Sequence, residues 1–480
     1  MRPLEKLEPK AVFTYFEDLC AIPHGSTDTK RISDYCVDFA KQRGLEYHQD
    51  AANNVIIIKP ATAGYEQAAP LIVQGHLDMV CEKTPESTID FTKDGLQLAI
   101  DGDWVYAQGT TLGGDDGIAV AMALAILDAK DLSHPRIEAV FTVDEEIGML
   151  GATAIDVSLL QGRKLLNIDS EMEGVFTVSC CGGVCAECVL PIGRESARGE
   201  TLVVTVGGLK GGHSGAEIDK HGANANQLMG RLLDGAAQKT SLRLISANGG
   251  LKDNAIPRES VAELLAEDPQ AVLAVAETME KAFRNEYRTG DPDVFVRVER
   301  RPVRVAMVLP KQDTARVITL LLNLPGGIQE MSADLPGLVQ TSLNLGILTT
   351  GETAVSASFC VRSSVATQKE MLVRRITSLV ELLGGQVKLV GDYPAWEFNP
   401  DSELRQLMVD IFTEQYGHAP RVEAVHAGLE CGIFSGKLAG LDCVSYGPDL
   451  MQIHTVRERM SIVSVQRTWA LTVEILKRSK

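Results

Sequence analysis

The stretch Phe141-Thr-Val-Asp-Glu-Glu-Ile-Gly-Met149 is an apolar run that ends in three consecutive acids. Residues 137 to 143 read as a strand, and where a strand breaks into a loop at a sheet edge, Glu145 and Glu146 can point different ways. One can then hold a metal and the other a water. Three unpaired carboxylates beside a buried strand repel one another and raise each other's pKa unless a cation lies among them. Taken alone, the stretch reads at least as readily as a solvated acidic loop. The rest of the chain decides between the two.

Outward from it, β-rich runs alternate with helical patterns. Val12, Phe13, Phe16 and Leu19 recur at helical spacing over residues 9–21, and Asp28 is placed to cap a second helix ending at Gly44. Runs at 54–59, 71–74 and 104–107 read as strands and 118–127 as a buried helix. The alternation continues as strand 136–143, helix 148–160 and strand 164–169. It predicts an α/β architecture with a mixed central sheet flanked by helices, its acids and His76 gathered at strand ends. After about residue 190 strands and helices follow a different order, which recurs between 315 and 390 and predicts an inserted α+β domain of two similar units. From 395 the first pattern returns. The expected organisation is a discontinuous catalytic domain, residues 1–190 and 395–480, around an inserted lid domain, residues 191–394.

The composition of the 480-residue chain is that of a globular protein, with 45% hydrophobic and 23% charged residues. A net charge of −18 argues against nucleic acid as a partner. Met1-Arg-Pro-Leu-Glu-Lys-Leu-Glu carries no signal-type apolar run, and no stretch reaches the ~20 apolar residues of a membrane helix. The expectation is a cytoplasmic protein with no membrane partner. Ten cysteines give no disulfide framework. Four of them crowd into Cys180-Cys-Gly-Gly-Val-Cys-Ala-Glu-Cys188, whereas a structural zinc site prefers two spaced pairs.

His76 and Asp78, two apart on a strand, share a face, a spacing that suits a metal-binding imidazole whose second nitrogen donates to a carboxylate. With Asp115 in a glycine-rich turn, Glu145, Glu146, Asp169 at a strand end and His454, the inventory meets the needs of two metals. Such a set suits Zn2+, with Co2+ or Mn2+ as substitutes. One carboxylate can bridge two ions ~3.5–4 Å apart.

The ordered motifs Gly75-His-Leu-Asp-Met-Val80, Gly109-Thr-Thr-Leu-Gly-Gly-Asp-Asp-Gly117, Thr142-Val-Asp-Glu-Glu-Ile-Gly-Met149, Asn167-Ile-Asp-Ser-Glu171, Lys210-Gly-Gly-His-Ser-Gly215, Asn254-Ala-Ile-Pro-Arg-Glu259 and His426-Ala-Gly-Leu-Glu-Cys-Gly432 span essentially the whole chain. In that order they resemble the bacterial aminoacyl-histidine dipeptidases, of the co-catalytic zinc peptidase clan that includes acetylornithine deacetylase and carnosinases. The resemblance implies that Asp115 bridges two zincs, with His76 and Asp169 on one and Glu146 and His454 on the other. Glu145 is then the general base and Asp78 the orienter of His76. Asp116, beside the bridging ligand, is expected to be a helix N-cap. One departure is Gln452-Ile-His454-Thr-Val456, where the family has a His-Ser-Pro setting, although Glu458 keeps its place. His426 competes with His454 for the last ligand position, but its motif matches a different family loop, in which Glu430 lines the substrate pocket.

By the same resemblance a metal-bridging hydroxide attacks the peptide carbonyl, Glu145 takes its proton, and His213 stabilises the charge that develops. Arg362, with Asn254, is expected to take the free carboxylate of a dipeptide. The inserted domain would act as a lid and either mimic a partner within a monomer or build a homodimer. The expected activity is a dinuclear zinc dipeptidase acting on short dipeptides including Xaa-His, the alternative being a tripeptidase or N-acyl amino acid deacylase of the same clan. A non-catalytic binding protein would have lost a ligand or the base. A thiol-dependent redox or metal-storage protein built on the cysteine cluster is the reading from another class.

Overall fold

Every residue of the strands Leu71–His76 and Ile137–Thr142 is buried, the pattern of parallel strands covered on both faces. The two pair in parallel from Leu71↔Ile137 to His76↔Thr142, and Leu71–His76 pairs along its other edge with Lys164–Asn167, again in parallel. The chain therefore runs from the middle strand to one neighbour and then to the other. Their C-terminal ends open where strand order reverses, the place where such sheets bind ligands. His76 is the last residue of the middle strand.

The computed structural model describes residues 2–480. They divide into two units, one of the described residues up to Cys180 with Phe398–Ala424 and Leu429–Lys480, the other of Cys181–Glu397 and Val425–Gly428. The first is α/β. Its eight-stranded sheet runs Glu46–Gln49, Val55–Lys59, Ile137–Thr142, Leu71–His76, Lys164–Asn167, Asp442–Ser445, Val175–Cys180, Arg421–Val425. It mixes parallel pairs with antiparallel ones toward the edges.

The helix Gly114–Asp128 is buried from Ile118 to Leu127, and its alternating alanines let it lie close to the sheet. A Cβ on Gly75 would sit 2.6 Å from Asp116 Oδ2 and 2.7 Å from Ala119 Cβ, so this strand and helix close on each other only across a glycine. Asp28 does not cap the second helix. Lys30–Arg43 starts one residue later behind Thr29, and the Asp28 carboxylate pairs with Arg31 instead. The helix expected over 148–160 is only Leu150–Ala154. Gly151 lies where a Cβ would meet the Val143 backbone at 2.2 Å, pinning this turn against the strand end.

The inserted unit holds a nine-stranded antiparallel sheet whose two halves share one strand order. In one half the chain makes strand Glu195–Gly207, helix Ala225–Ala237, strands Leu242–Gly249 and Ser260–Ala266, helix Pro269–Glu286 and strand Phe295–Val308. These strands lie side by side as fourth, first, third, second, the βαββαβ arrangement of ferredoxin-like units. The other half repeats it with strand Gly182–Pro191, helix Lys311–Asn323, strands Val339–Thr350 and Ala354–Ser363, helix Ala366–Leu382 and strand Gln386–Tyr393. The halves meet second strand to second strand at Gly249↔Leu348. One copy is thus inserted directly after the first strand of the other.

That first strand contains half of the cysteine cluster, Cys185 and Cys188. Alternation turns Cys188 into the core and leaves Cys185 half-exposed, directly opposite Cys360. All ten cysteines are free, and among the described residues none belongs to a group that could hold a metal.

Candidate metal centre

His76 is held by what lies on both sides of its ring. Nδ1 is 2.9 Å from the Asp78 carbonyl and 3.5 Å from Asp78 Oδ1, which leaves Nε2 as the free ligand atom. Nε2 lies 3.1 Å from Asp115 Oδ1 and 3.7 Å from Asp169 Oδ1. The other oxygen of Asp115 is 3.1 Å from His454 Nε2, which in turn is 2.9 Å from Glu146 Oε1. Asp115 therefore stands between two imidazoles, one oxygen to each. Ligand atoms of His76, Asp115 and Glu146 lie within 4.8 Å of one another, and so do those of His76, Asp116 and Asp169.

The acidic loop is fixed from below. Asp78 accepts the amide of Glu145 at 3.0 Å, that of Glu146 at 3.4 Å and the Ser26 hydroxyl at 2.8 Å, so one buried carboxylate aims both His76 and the two glutamates. Asp144 turns the chain with φ 55°, and its side chain accepts the Thr27 amide at 2.6 Å.

Asp116 flanks the regular helix, its backbone non-helical just before Gly117, but its fully buried carboxylate accepts the amide of His76 at 3.1 Å and not one of its own helix. A carboxylate side chain in a helix's first turn reads as a cap in sequence, and only the closeness of strand and helix at Gly75 turns it toward His76. Ser26 also escapes sequence reading, since its partner Asp78 is far away in the chain. His426 is not part of the cluster. It belongs to the inserted unit, where its Nε2 is 2.7 Å from Ser342 Oγ.

Burial and mutual repulsion dominate the electrostatics. The carboxyls of Asp116 and Asp169 are raised well above the usual range, each first by burial. Glu145 is pushed up to about 7 by burial and by Glu146, Asp115 and Asp78, against the pull of His76. His454 is drawn up to about 10 by its contacts with Asp115 and Glu146. Burial opposes the charged form of His76, but Asp115 and Asp78 outweigh it and raise its pKa well above the ordinary value. Among the described residues no lysine or arginine forms an ion pair with these acids. Glu146 Oε1 is buried without a hydrogen bond of ordinary geometry. A surplus of converging carboxylates, two imidazoles and an unsatisfied oxygen fit divalent cations, and the donors are of the oxygen and nitrogen kind that zinc, cobalt and manganese accept.

These raised values make the metal-free chain sensitive to alkali. Glu145, Glu430 and Glu458 stand at about 7, 8 and 7 in the fold against 4.5 for a free glutamate. A folded-state pKa above the unfolded one stabilises fully below the unfolded value and is lost as pH rises through the folded value. The expected result is that the melting temperature of chelator-stripped protein falls between about pH 5 and pH 8, while that of metal-loaded protein does not fall with it. Parallel curves for the two forms would contradict this.

Other residues singled out in the sequence lie elsewhere. Glu430 opens the helix Glu430–Lys437 and is fully buried, accepting Gln74 Nε2 at 2.5 Å and Thr142 Oγ1 at 2.7 Å. It stands behind the strand ends, bracing two strands of the sheet. In the inserted unit a two-residue ladder pairs His213 with Ala255, next to Asn254, whose carbonyl accepts the Ser214 amide. His213 Nδ1 accepts the amides of Gly215 and Ala216 at 3.2 and 3.0 Å, which puts its proton on Nε2. Arg362 is 8% exposed, donates to Tyr393 Oη at 3.0 Å and keeps Nε without a partner. Among the described residues no carboxylate forms an ion pair with it.

The family model for peptidase family M20/M25/M40 matches residues 72–478, a span that takes in every residue of the cluster. The chain belongs to this family. Within the M20/M25/M40 family it is 38% identical, over 99% of both chains, to the cytosol non-specific dipeptidase of Escherichia coli K12. The crystal structure of aminoacylhistidine dipeptidase from Vibrio alginolyticus is similar over 99% of this chain and 97% of that one, with a TM-score of 0.94 at 36% identity. Aminopeptidase PepT from Bacillus cereus shares the fold at 16% identity and a TM-score of 0.56, covering 98% of this chain and 99% of that one. The sequence resemblance to aminoacyl-histidine dipeptidases thus stands on the whole chain, and the M20/M25/M40 members are metallopeptidases.

Proposed function

We propose that this chain is a dinuclear zinc dipeptidase of the cytoplasm that hydrolyses dipeptides, Xaa-His among them. The observation that carries the reading is Asp115, with one carboxylate oxygen toward His76 and the other toward His454. His76 and Asp169 would hold one ion and Glu146 and His454 the other, with Asp115 shared between them. Such a pair would supply a water of near-neutral pKa and a polarised peptide carbonyl. Glu145 is the general base, taking the proton of the attacking water and returning it to the departing amine. Asp78 keeps the tautomer of His76 and the direction of the acidic loop. His213 supplies an Nε2 proton to the oxygen that gains charge, and Arg362 with Asn254 takes the substrate's carboxylate. Glu430 supports the strand ends. No helix among the described residues is long and apolar enough to cross a membrane, and a cytosolic site is the reading drawn from the Escherichia coli relative.

Elemental analysis beside a panel of dipeptides, tripeptides and N-acetyl amino acids tests this reading. About two zincs per chain and cleavage confined to dipeptides is the expected result. Cleavage of N-acetyl amino acids or tripeptides in preference would move the chain to a deacylase or tripeptidase, and no metal and no cleavage after zinc is supplied would end the peptidase reading. Light scattering on the same sample reads the assembly. We expect a homodimer through the inserted unit, whose edge strand Phe295–Val308 exposes Val303, Val305 and Met307, and a mass of one chain would remove it.

A further inference from the structure

Glu458 is 3% exposed and has no basic partner among the described residues. Its two oxygens instead gather three backbone amides, Oε2 accepting those of Leu112 at 2.8 Å and Gly113 at 3.3 Å and Oε1 that of Gly114 at 2.8 Å. Successive amides turned onto one anion form a nest. The glycines make it accessible. Gly113 has φ 67°, and a Cβ on Gly114 would lie 3.0 Å from Leu450 and 3.3 Å from Glu458 Oε1. The next residue is Asp115.

Glu458 also stands at the base of the loop that carries His454. Leu450↔Met460 and Met451↔Arg459 pair below it, and the Glu458 amide donates to the Thr455 carbonyl at 3.0 Å. Gln452 and His454 take φ 53° and 59°, a conformation that non-glycine residues hold only when their surroundings impose it. One side chain thus ties the loop before Asp115 to the loop that presents His454. With both oxygens occupied by amides, it is not itself a ligand.

We infer that Glu458 is a positioning residue that fixes Asp115 against His454 and so sets the affinity of the ion shared by Asp115, Glu146 and His454. The inference rests on the dinuclear reading of the centre but not on peptide cleavage. His76 and Asp169 are placed by strand ends, so the other ion does not depend on Glu458 in the same way. The Glu458→Gln variant keeps the shape but turns an NH2 donor onto amide donors.

The experiment is titration of metal-free protein with Co2+, followed by its visible absorption and by chelator competition. Wild type is expected to take two equivalents. In Glu458→Gln the first binds as in wild type and the second about tenfold or more weakly, with a changed absorption spectrum. Glu138→Gln is the matched control. Glu138 is fully buried and grips the amides of Gln161 and Gly162 at the far end of its strand, so its loss tests general destabilisation without touching either loop. If Glu458→Gln does not fold, Glu458→Asp, which keeps the charge and shortens the reach, is read in the same way. An unchanged second equivalent, equal weakening of both ions, or the same loss in Glu138→Gln overturns the inference. None of these readouts requires a peptide, so failure of the dipeptidase reading and failure of this one are told apart.

Discussion

Glu145→Gln is expected to lower kcat by about 10³-fold while the metal content stays at its wild-type level. The side chain is isosteric, and the amide of residue 145 still donates to Asp78, so the loop keeps its direction. What disappears is the one acid of the stretch that is neither assigned to an ion nor, like Asp144, held by a backbone amide. The burial that pushes Glu145 up to about 7 makes it a competent proton acceptor near neutral pH, and cations beside it draw that value down. As a base it works when ionised, so kcat of wild type should fall as pH drops through the value set in the loaded enzyme. That acid limb should vanish from the residual activity of the variant. A variant that loses metal along with activity would place Glu145 among the ligands instead.

Arg362→Met is expected to reduce kcat/KM for free dipeptides by roughly 10²-fold, about 3 kcal/mol, without lowering the melting temperature. The two halves of that statement come from one observation. A buried guanidinium with no carboxylate partner and an orphaned Nε carries a desolvation cost that the free chain does not recover. Methionine of similar length removes the cost, so the fold is expected to be as stable or more so. On the role proposed for Arg362 the substrate's carboxylate is its partner, and the loss should therefore depend on it. Dipeptides whose carboxyl is amidated should be poor substrates of wild type and be cleaved equally by the variant. Equal losses on acids and amides would mean that Arg362 acts on the fold and not on the substrate.

How much of this was legible in the sequence depended on the range of the interaction. The parallel strands and their acidic ends were readable because burial on both faces leaves short apolar runs, as at Ala139-Val-Phe141, and because a break into Asp144, Glu145 and Glu146 is local. Val339–Thr350 was missed although it alternates, since its polar positions, Ser342 and Asn344, face residues distant in sequence and resemble a loop. Gly182–Pro191 does not read as a strand because its two leading glycines and its cysteines, one on each face, blur the period of two. Asp116 and Glu458 act on backbone amides brought near by folding, and no spacing encodes such a partner. His454, named in the sequence despite a loop unlike the family's, lies 3.1 Å from Asp115 and 2.9 Å from Glu146.

The nested order of the two βαββαβ copies has a consequence for the chain while it is being made. Gly182–Pro191 pairs with Ala354–Ser363 and Gln386–Tyr393, so its nearest partner emerges from the ribosome about 160 residues after it. At about 5–20 residues per second it waits on the order of ten seconds with its apolar face and two thiols uncovered. The inner copy, Glu195–Val308, is complete by then and can fold first. Biogenesis of the outer copy therefore resembles closing a bracket around a finished object, with the cysteine-rich strand left open until the bracket closes.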